Sequence, residues 1–370
     1  MLVDYLLINH HMCCIEICIP PSNSAIFSSI IFRQSELHSA IMAHTSPRHQ
    51  IRALIEQASD LEDNSQWDAS IALLRQALQL CERYLGPNHA DTHLTQTILA
   101  YNYRAQGQYG DAERLDREVL SRRQRLLGDT HAETAKSLNN VALDLKGQGR
   151  EGEALDLEKK ALDIMISVEG EDALPTLTSM NNLANSYVNL GRFQEAADLH
   201  ARVLEVRTRV LGQDDPLTIA AMDMLGGDYR SLGQIDRAIQ LQEDAVRTAK
   251  SSLGAAHETT VKCAMNLADT YKSQGTDEGT ARQVALLQQA HESLDRPEQE
   301  DTPLTVGLKN NLAVAYARVG RLQDARPLLV SCHEWHKTTY GPNHPRTQAS
   351  SQNLAWILEQ LGELVRAPVF

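Results

Sequence analysis

The apolar positions of residues 176–212 fall into two helical patterns with a break between them. In the first, Met180, Leu183, Ala184, Tyr187 and Leu190 recur every three or four residues, which places them on one face of an α-helix. Gly191 interrupts the pattern. A second pattern runs through Phe193, Ala196, Leu199, Val203, Val206 and Val210, and Gly212 stands where a helix is expected to stop. The stretch predicts a helix, a tight turn and a second helix. Neither helix can bury its apolar face alone.

The unit recurs. The glycine between the two helices is Gly107, Gly149, Gly191, Gly233, Gly275, Gly320 and Gly362, at intervals of 42, 42, 42, 42, 45 and 42 residues. A threonine near the start of each first helix keeps the same beat at Thr92, Thr134, Thr176, Thr218, Thr260, Thr305 and Thr347. A fixed period of this size predicts stacked helical hairpins, an all-α, right-handed α-solenoid. An earlier pair is read from Ile51, Leu54, Ile55, Ala58 and Leu61, and from Trp67, Ile71, Leu74, Leu78 and Cys81. The expectation is seven helix pairs plus a terminal helix over residues 42–370, with the chain stopping before that helix's partner. The three extra residues belong either to Thr276–Gly279 or to Arg296–Pro303.

The turns between pairs also repeat. His89, His131, His257 and His344 share one column, read as a turn and cap position rather than a metal site. Pro216, Pro303 and Pro345 suit a first helical position, with Asp215 and Thr302 as N-caps.

Residues 1–41 fall outside the beat and read as a poorly ordered extension. Asp4 and the Asn9-His10-His11 interruption argue against a secretory signal or a spanning helix. Lipidation or metal binding at Cys13, Cys14 and Cys18 is disfavoured. We expect translation to begin at Met42; an intact mass that includes residues 1–41 refutes this.

Composition narrows the function. A net charge of −13 disfavours general affinity for nucleic acid or anionic membrane. Cys81, Cys263 and Cys332 lie far apart in helical patterns and read as reduced, buried thiols of a cytoplasmic protein. There is no nucleophile elbow, zincin motif, zinc-spaced cysteine pair or phosphate loop, so neither an enzyme nor a cofactor is expected.

The unit T-x4-NNLA-x2-Y-x3-G-x-F-x2-A, followed by L-x3-LG and H-P-x-T, resembles the 42-residue tetratricopeptide repeats of kinesin light chains and of fungal NLR-like sensor arrays. The matching residues are Asn181-Asn182-Leu183-Ala184, Tyr187, Gly191, Phe193 and Ala196, and again Asn310-Asn311-Leu312-Ala313, Tyr316, Gly320 and Ala325. The resemblance covers about residues 51–365. No coiled coil precedes Ile51, and no P-loop is present. The resemblance implies a superhelix whose first helices line a concave groove that holds peptides.

Independently of the family, the stripe of each first helix leaning away from the core falls two, five and six, nine, and twelve or thirteen residues after the threonine. Five of seven units carry asparagine at five or six: Asn139, Asn140, Asn181, Asn182, Asn266, Asn310, Asn311 and Asn353. Asn185 joins them from the nine-residue column. Asparagine is a mediocre helix former, so its recurrence calls for a reason. One reading is an amide ladder for a partner's backbone, and the other is amides that join neighbouring repeats. Arg104, Lys136, Lys146, Arg230, Lys262, Lys272 and Arg318 lie on the same stripe, which points to acidic peptide segments. Tyr101 and Trp356, in the nine-residue column, are candidate anchors, and Trp356 reads equally as a cover for the open end of the stack. The expected function is a non-enzymatic scaffold for a protein or peptide. The alternatives are a sensor array detached from an NLR-like ATPase, a kinesin cargo adaptor and a regulatory subunit of an enzyme.

Overall fold

The computed structural model describes residues 46–63, 66–294 and 301–363. The expected extension, Cys13, Cys14 and Cys18 lie outside the described residues. Fifteen α-helices and no strand are found among the described residues. They pair as α1 (Pro47–Asp63) with α2 (Trp67–Tyr84), α3 (Ala90–Ala105) with α4 (Tyr109–Leu127), and α5 (Ala132–Gly147) with α6 (Glu151–Glu169). Next come α7 (Leu174–Asn189) with α8 (Phe193–Leu211), α9 (Pro216–Ser231) with α10 (Ile235–Ser252), and α11 (Glu258–Ser273) with α12 (Asp277–Leu294). The last pair is α13 (Pro303–Arg318) with α14 (Leu322–Tyr340), and α15 (Pro345–Gln360) is a first helix. Each helix packs on the next along the chain, which is the contact pattern of a solenoid.

Two kinds of glycine turn set the beat. Between the helices of a pair the chain reverses through a left-handed residue. At Gly191, φ is 71°, and the Arg192 amide donates to the Tyr187 carbonyl at 2.8 Å, closing the last turn of α7. The Gln108, Arg150, Gln234 and Arg321 amides make the equivalent bond at 2.8–2.9 Å. Between pairs the glycine adopts a different shape. Gly170, at φ 90° and ψ 162°, turns its carbonyl onto the Thr176 hydroxyl at 2.7 Å. Thr92, Thr134, Thr260 and Thr347 donate to Gly86, Gly128, Gly254 and Gly341 in the same way at 2.7–2.8 Å. At these five positions the threonine column therefore ties a first helix to the end of the preceding pair.

The histidine column caps helices. His89, His131, His257 and His344 each accept, through Nδ1, the amide two residues on at 3.1–3.2 Å. Asp215 and Thr302 cap α9 and α13. Since α12 begins two residues after Gly275, as its counterparts do after theirs, the three extra residues fall between Leu294 and Pro303.

The apolar stripes bury as expected. Met180, Leu183, Ala184, Ala196, Val203 and Val206 are core. Leu190 and Val210, at the ends of their patterns, are exposed. Five separate apolar clusters serve α1 to α11, whereas one continuous cluster runs from α11 to α15. Arg192, Arg237, Arg282 and Arg321 each lie 4.1–4.4 Å over the ring of Tyr187, Tyr229, Tyr271 or Tyr316, clamping second helices to first. First helices touch one another directly, α9 with α11 and α11 with α13. Long side chains span the second helices instead, Arg150 to Glu113 at 3.0 Å and Lys250 to Gln289 at 3.1 Å. The stack is therefore tighter on its first-helix side.

Candidate functional site

The asparagines five and six residues after the threonine lie where neighbouring first helices meet. Asn353 Nδ2 donates to Asn310 Oδ1 at 3.3 Å, Asn266 Nδ2 to Asp223 Oδ2 at 2.5 Å, and Asn139 Nδ2 to the Ser179 hydroxyl at 3.0 Å. Each bond crosses from one pair to the next, as the stack-joining reading expects. The carbonyl oxygens of Asn139 and Asn181 are buried without a partner among the described residues. Asn140, whose side chain bonds Asp116, is half-buried, as are Asn182 and Asn311, while Asn185 is exposed.

The cations separate into four groups. Arg104 and Lys146 lie beneath the face. Arg104 Nη1 donates to Asp116 at 2.8 Å and Asp144 at 3.0 Å, and Lys146 Nζ to Glu158 at 2.7 Å; each cation's side chain is 14% exposed. A twelve-residue offset gives a side chain at the rim of the stripe, and here the buried carboxylates draw it inward. Lys136 and Lys262 are exposed but paired with Glu133 and Glu258 on their own helices, at 2.6 and 2.5 Å. Arg230 is half-buried near Asp223. Lys272 and Arg318 are exposed, with no carboxylate partner among the described residues.

The nine-residue column is the open one. Tyr101, Leu143, Val314 and Trp356 expose 52, 37, 37 and 50% of their surface on four first helices, a pattern that scattered surface leucines do not give. Trp67 braces Tyr101 edge-on at 6.3 Å between ring centres. At the other end, Ala313, Val314, Ala317, Leu329, Trp356 and Ile357 line a recess of about 230 Å³, with Arg318 and Asn353 on its wall. That volume is below the range of small-molecule sites and suits one large side chain.

Burial governs the titrating groups near this face. It pushes Asp144 up to about 7, against the pull of Arg104, and Asp223 up to about 6, against its bonds to Asn266 and Gln242. Burial also pushes up the thiols of Cys81, Cys263 and Cys332, that of Cys332 to about 11, which leaves them poor nucleophiles.

Sequence reasoning missed a set of buried polar residues on the second helices: Asp116, Glu158, His200 and Gln242, at 42-residue intervals. The signal was present as a polar column inside an apolar stripe.

No described helix is long and apolar enough to cross a membrane. Residues 50–115, 91–167, 175–251 and 304–367 match the family Tetratricopeptide repeat. A comparison with curated proteins finds no match. Among solved structures, the chain is similar to the kinesin light chain, nearly identical TPR-like repeats of Podosopora anserina. That likeness has 24% identity and a TM-score of 0.50, over 57% of this chain and 99% of the other. It is also similar to the apo form of the quorum sensor NprR from B. thuringiensis (15% identity, TM-score 0.57, 91% of this chain and 90% of the other). The apo form of RapI gives 13% identity and a TM-score of 0.53, over 82% of this chain and 98% of the other. At these identities the likeness is one of fold. With its seven helical pairs on a 42-residue beat and family matches over most of its length, the chain belongs to the tetratricopeptide repeat family.

Proposed function

We propose that the chain is a non-enzymatic scaffold that holds a protein or peptide partner on its first-helix face. The observation that carries this reading is the nine-residue column, which presents Tyr101, Leu143, Asn185, Val314 and Trp356 to solvent from five first helices. Apolar groups at both ends of the face offer anchors, and the central amides of Asn182 and Asn185 offer a donor and an acceptor each. Asn139, Asn266, Asn310 and Asn353 hold the ladder's spacing, so the face is preorganised rather than assembled by the partner. The preference for acidic segments rests on Lys272 and Arg318, since the other cations of the stripe are neutralised or buried.

A partner captured from lysate of the source organism tests the reading. Binding should fall at least tenfold for Asn182→Ala with Asn185→Ala and for Trp356→Ala, in proteins that keep their melting temperature. Full binding by all of these variants, with loss on changing exposed second-helix residues such as Arg114, would move the site to the opposite face.

A further inference from the structure

A file of buried polar side chains runs through the array, and its chemistry changes at every junction between pairs. Glu62 of α1 accepts from Asn102 of α3 at 2.6 Å. Arg104 of α3, held by Asp116 of α4, meets Asp144 of α5 at 3.0 Å. Lys146 of α5, held by Glu158 of α6, meets Ser186 of α7 at 3.1 Å. His200 of α8 meets Asp228 of α9 at 2.6 Å. Gln242 of α10 accepts from Thr270 of α11 at 2.5 Å. At the last two junctions the same positions hold Val284 with Ala315 and Leu329 with Ile357, all buried and apolar.

Burying such groups is not the cheapest way to stabilise a stack. Replacing a buried ion pair with well-packed apolar residues is commonly neutral or favourable, whereas a buried polar group that meets the wrong neighbour is costly. The array itself shows the apolar alternative at its last two junctions. It also shows accommodation made for a polar one. Gly226 sits inside α9, where glycine is a poor choice, and a Cβ there would lie 2.4 Å from Cγ of Gln242.

We propose that this file is a set of keys that restricts which pair stacks on which, within the chain and between copies of it. Repeats of near-identical outline invite mis-stacking, because any first helix offers a similar apolar face to any second helix. A polar key converts the wrong stack into a buried orphan. If Asp144 or Asp228 met Val284, a carboxylate would be buried against a methyl group. If Gln242 met Ala315, its carbonyl would lose the Thr270 hydroxyl. Discrimination is strongest where the polar file gives way to Val284. It is weakest between Asp144 and Asp228, which present the same group.

The test uses the full chain with three consecutive junctions made apolar, as they are at its end. The variant carries Lys146→Met, Glu158→Leu, Ser186→Ala, His200→Leu, Asp228→Ala, Gln242→Leu and Thr270→Ala. A second protein carries only His200→Leu with Asp228→Ala. Light scattering after size exclusion, over a hundredfold range of concentration, reads hairpin exchange between copies, and methyl NMR counts stacked states. The expected result is a melting temperature no lower than native, at least tenfold more dimer and more than one set of resonances, with the two-residue variant intermediate. A seven-residue variant that matches the native protein in association state, with a single set of resonances, overturns the proposal. So does a two-residue variant that unfolds or melts far lower, because the pair would then supply stability and not selection.

Discussion

The threonine column contains its own control. Thr176 is fully buried, and its hydroxyl donates to the Gly170 carbonyl at 2.7 Å. Thr218 is also fully buried in the same column, yet its hydroxyl has no partner among the described residues. Thr176→Val keeps the shape of the side chain and removes the donor. It forfeits about 1 kcal/mol of net hydrogen bonding and leaves a carbonyl without its partner, for a total loss of about 1–3 kcal/mol. Thr218→Val removes a buried polar atom that bonds nothing and should be neutral or stabilising by up to about 1 kcal/mol. The two isosteric changes should therefore differ by about 2 kcal/mol in opposite directions from native. A repeat array does not unfold in one step, so amide exchange at the α6–α7 and α8–α9 junctions is the appropriate measurement. Equal effects at the two sites, or greater damage at Thr218, would refute the reasoning that the column acts through this bond.

Other outcomes follow from the same geometry. Arg104→Ala strands Asp116 and Asp144 and should cost about 3–5 kcal/mol in thermal or urea unfolding, whereas Lys136→Ala, an exposed pair, should stay within about 0.5 kcal/mol. Gly170→Ala should cost about 1–3 kcal/mol through the backbone alone, since no atom lies within 4 Å of the added Cβ. Gly152→Ala, inside α6 with the same open space, should stabilise by about 0.5–1 kcal/mol. Asp144 titrates at about 7 in the folded chain, above its unfolded value near 4. Its contribution is thus fully present below pH ~4 and is lost as pH rises through about 7. The native protein should lose stability between about pH 4 and about pH 7 more steeply than Asp144→Asn; parallel pH profiles would count against the assignment.

The fold was legible because it is written in repetition. Glycine, threonine and histidine columns each correspond to one observed turn, bond or cap, so a period alone located fourteen paired helices and a last one. The candidate face was half legible. Helical offset identifies which side of a helix a residue lies on, and it placed Tyr101, Trp356 and Lys272 correctly at the surface. Offset does not say whether a long side chain reaches outward or folds inward. Arg104 and Lys146 sit at the rim of the stripe, and carboxylates from the adjoining second helices draw them in. The asparagines posed the same difficulty in milder form, because an amide can face a partner and a neighbouring repeat from the same position. Their cross-repeat bonds appear only when two pairs are seen together.

The unbroken apolar cluster from α11 to α15 bears on the order in which the chain acquires its structure. At its two junctions, Val284 with Ala315 and Leu329 with Ile357, the polar file is replaced by apolar residues, whereas every junction before them must bury a carboxylate, imidazole or amide in the right orientation. We expect the last five helices to become protected first in a pulse-labelled refolding experiment, with the remaining pairs docking onto them one after another. Earlier protection of α1–α6 would contradict this. A ribosome delivers the helices in the reverse order, so the amino-terminal pairs emerge before the seed they would dock on and wait, with apolar faces uncovered, until α11–α15 have followed.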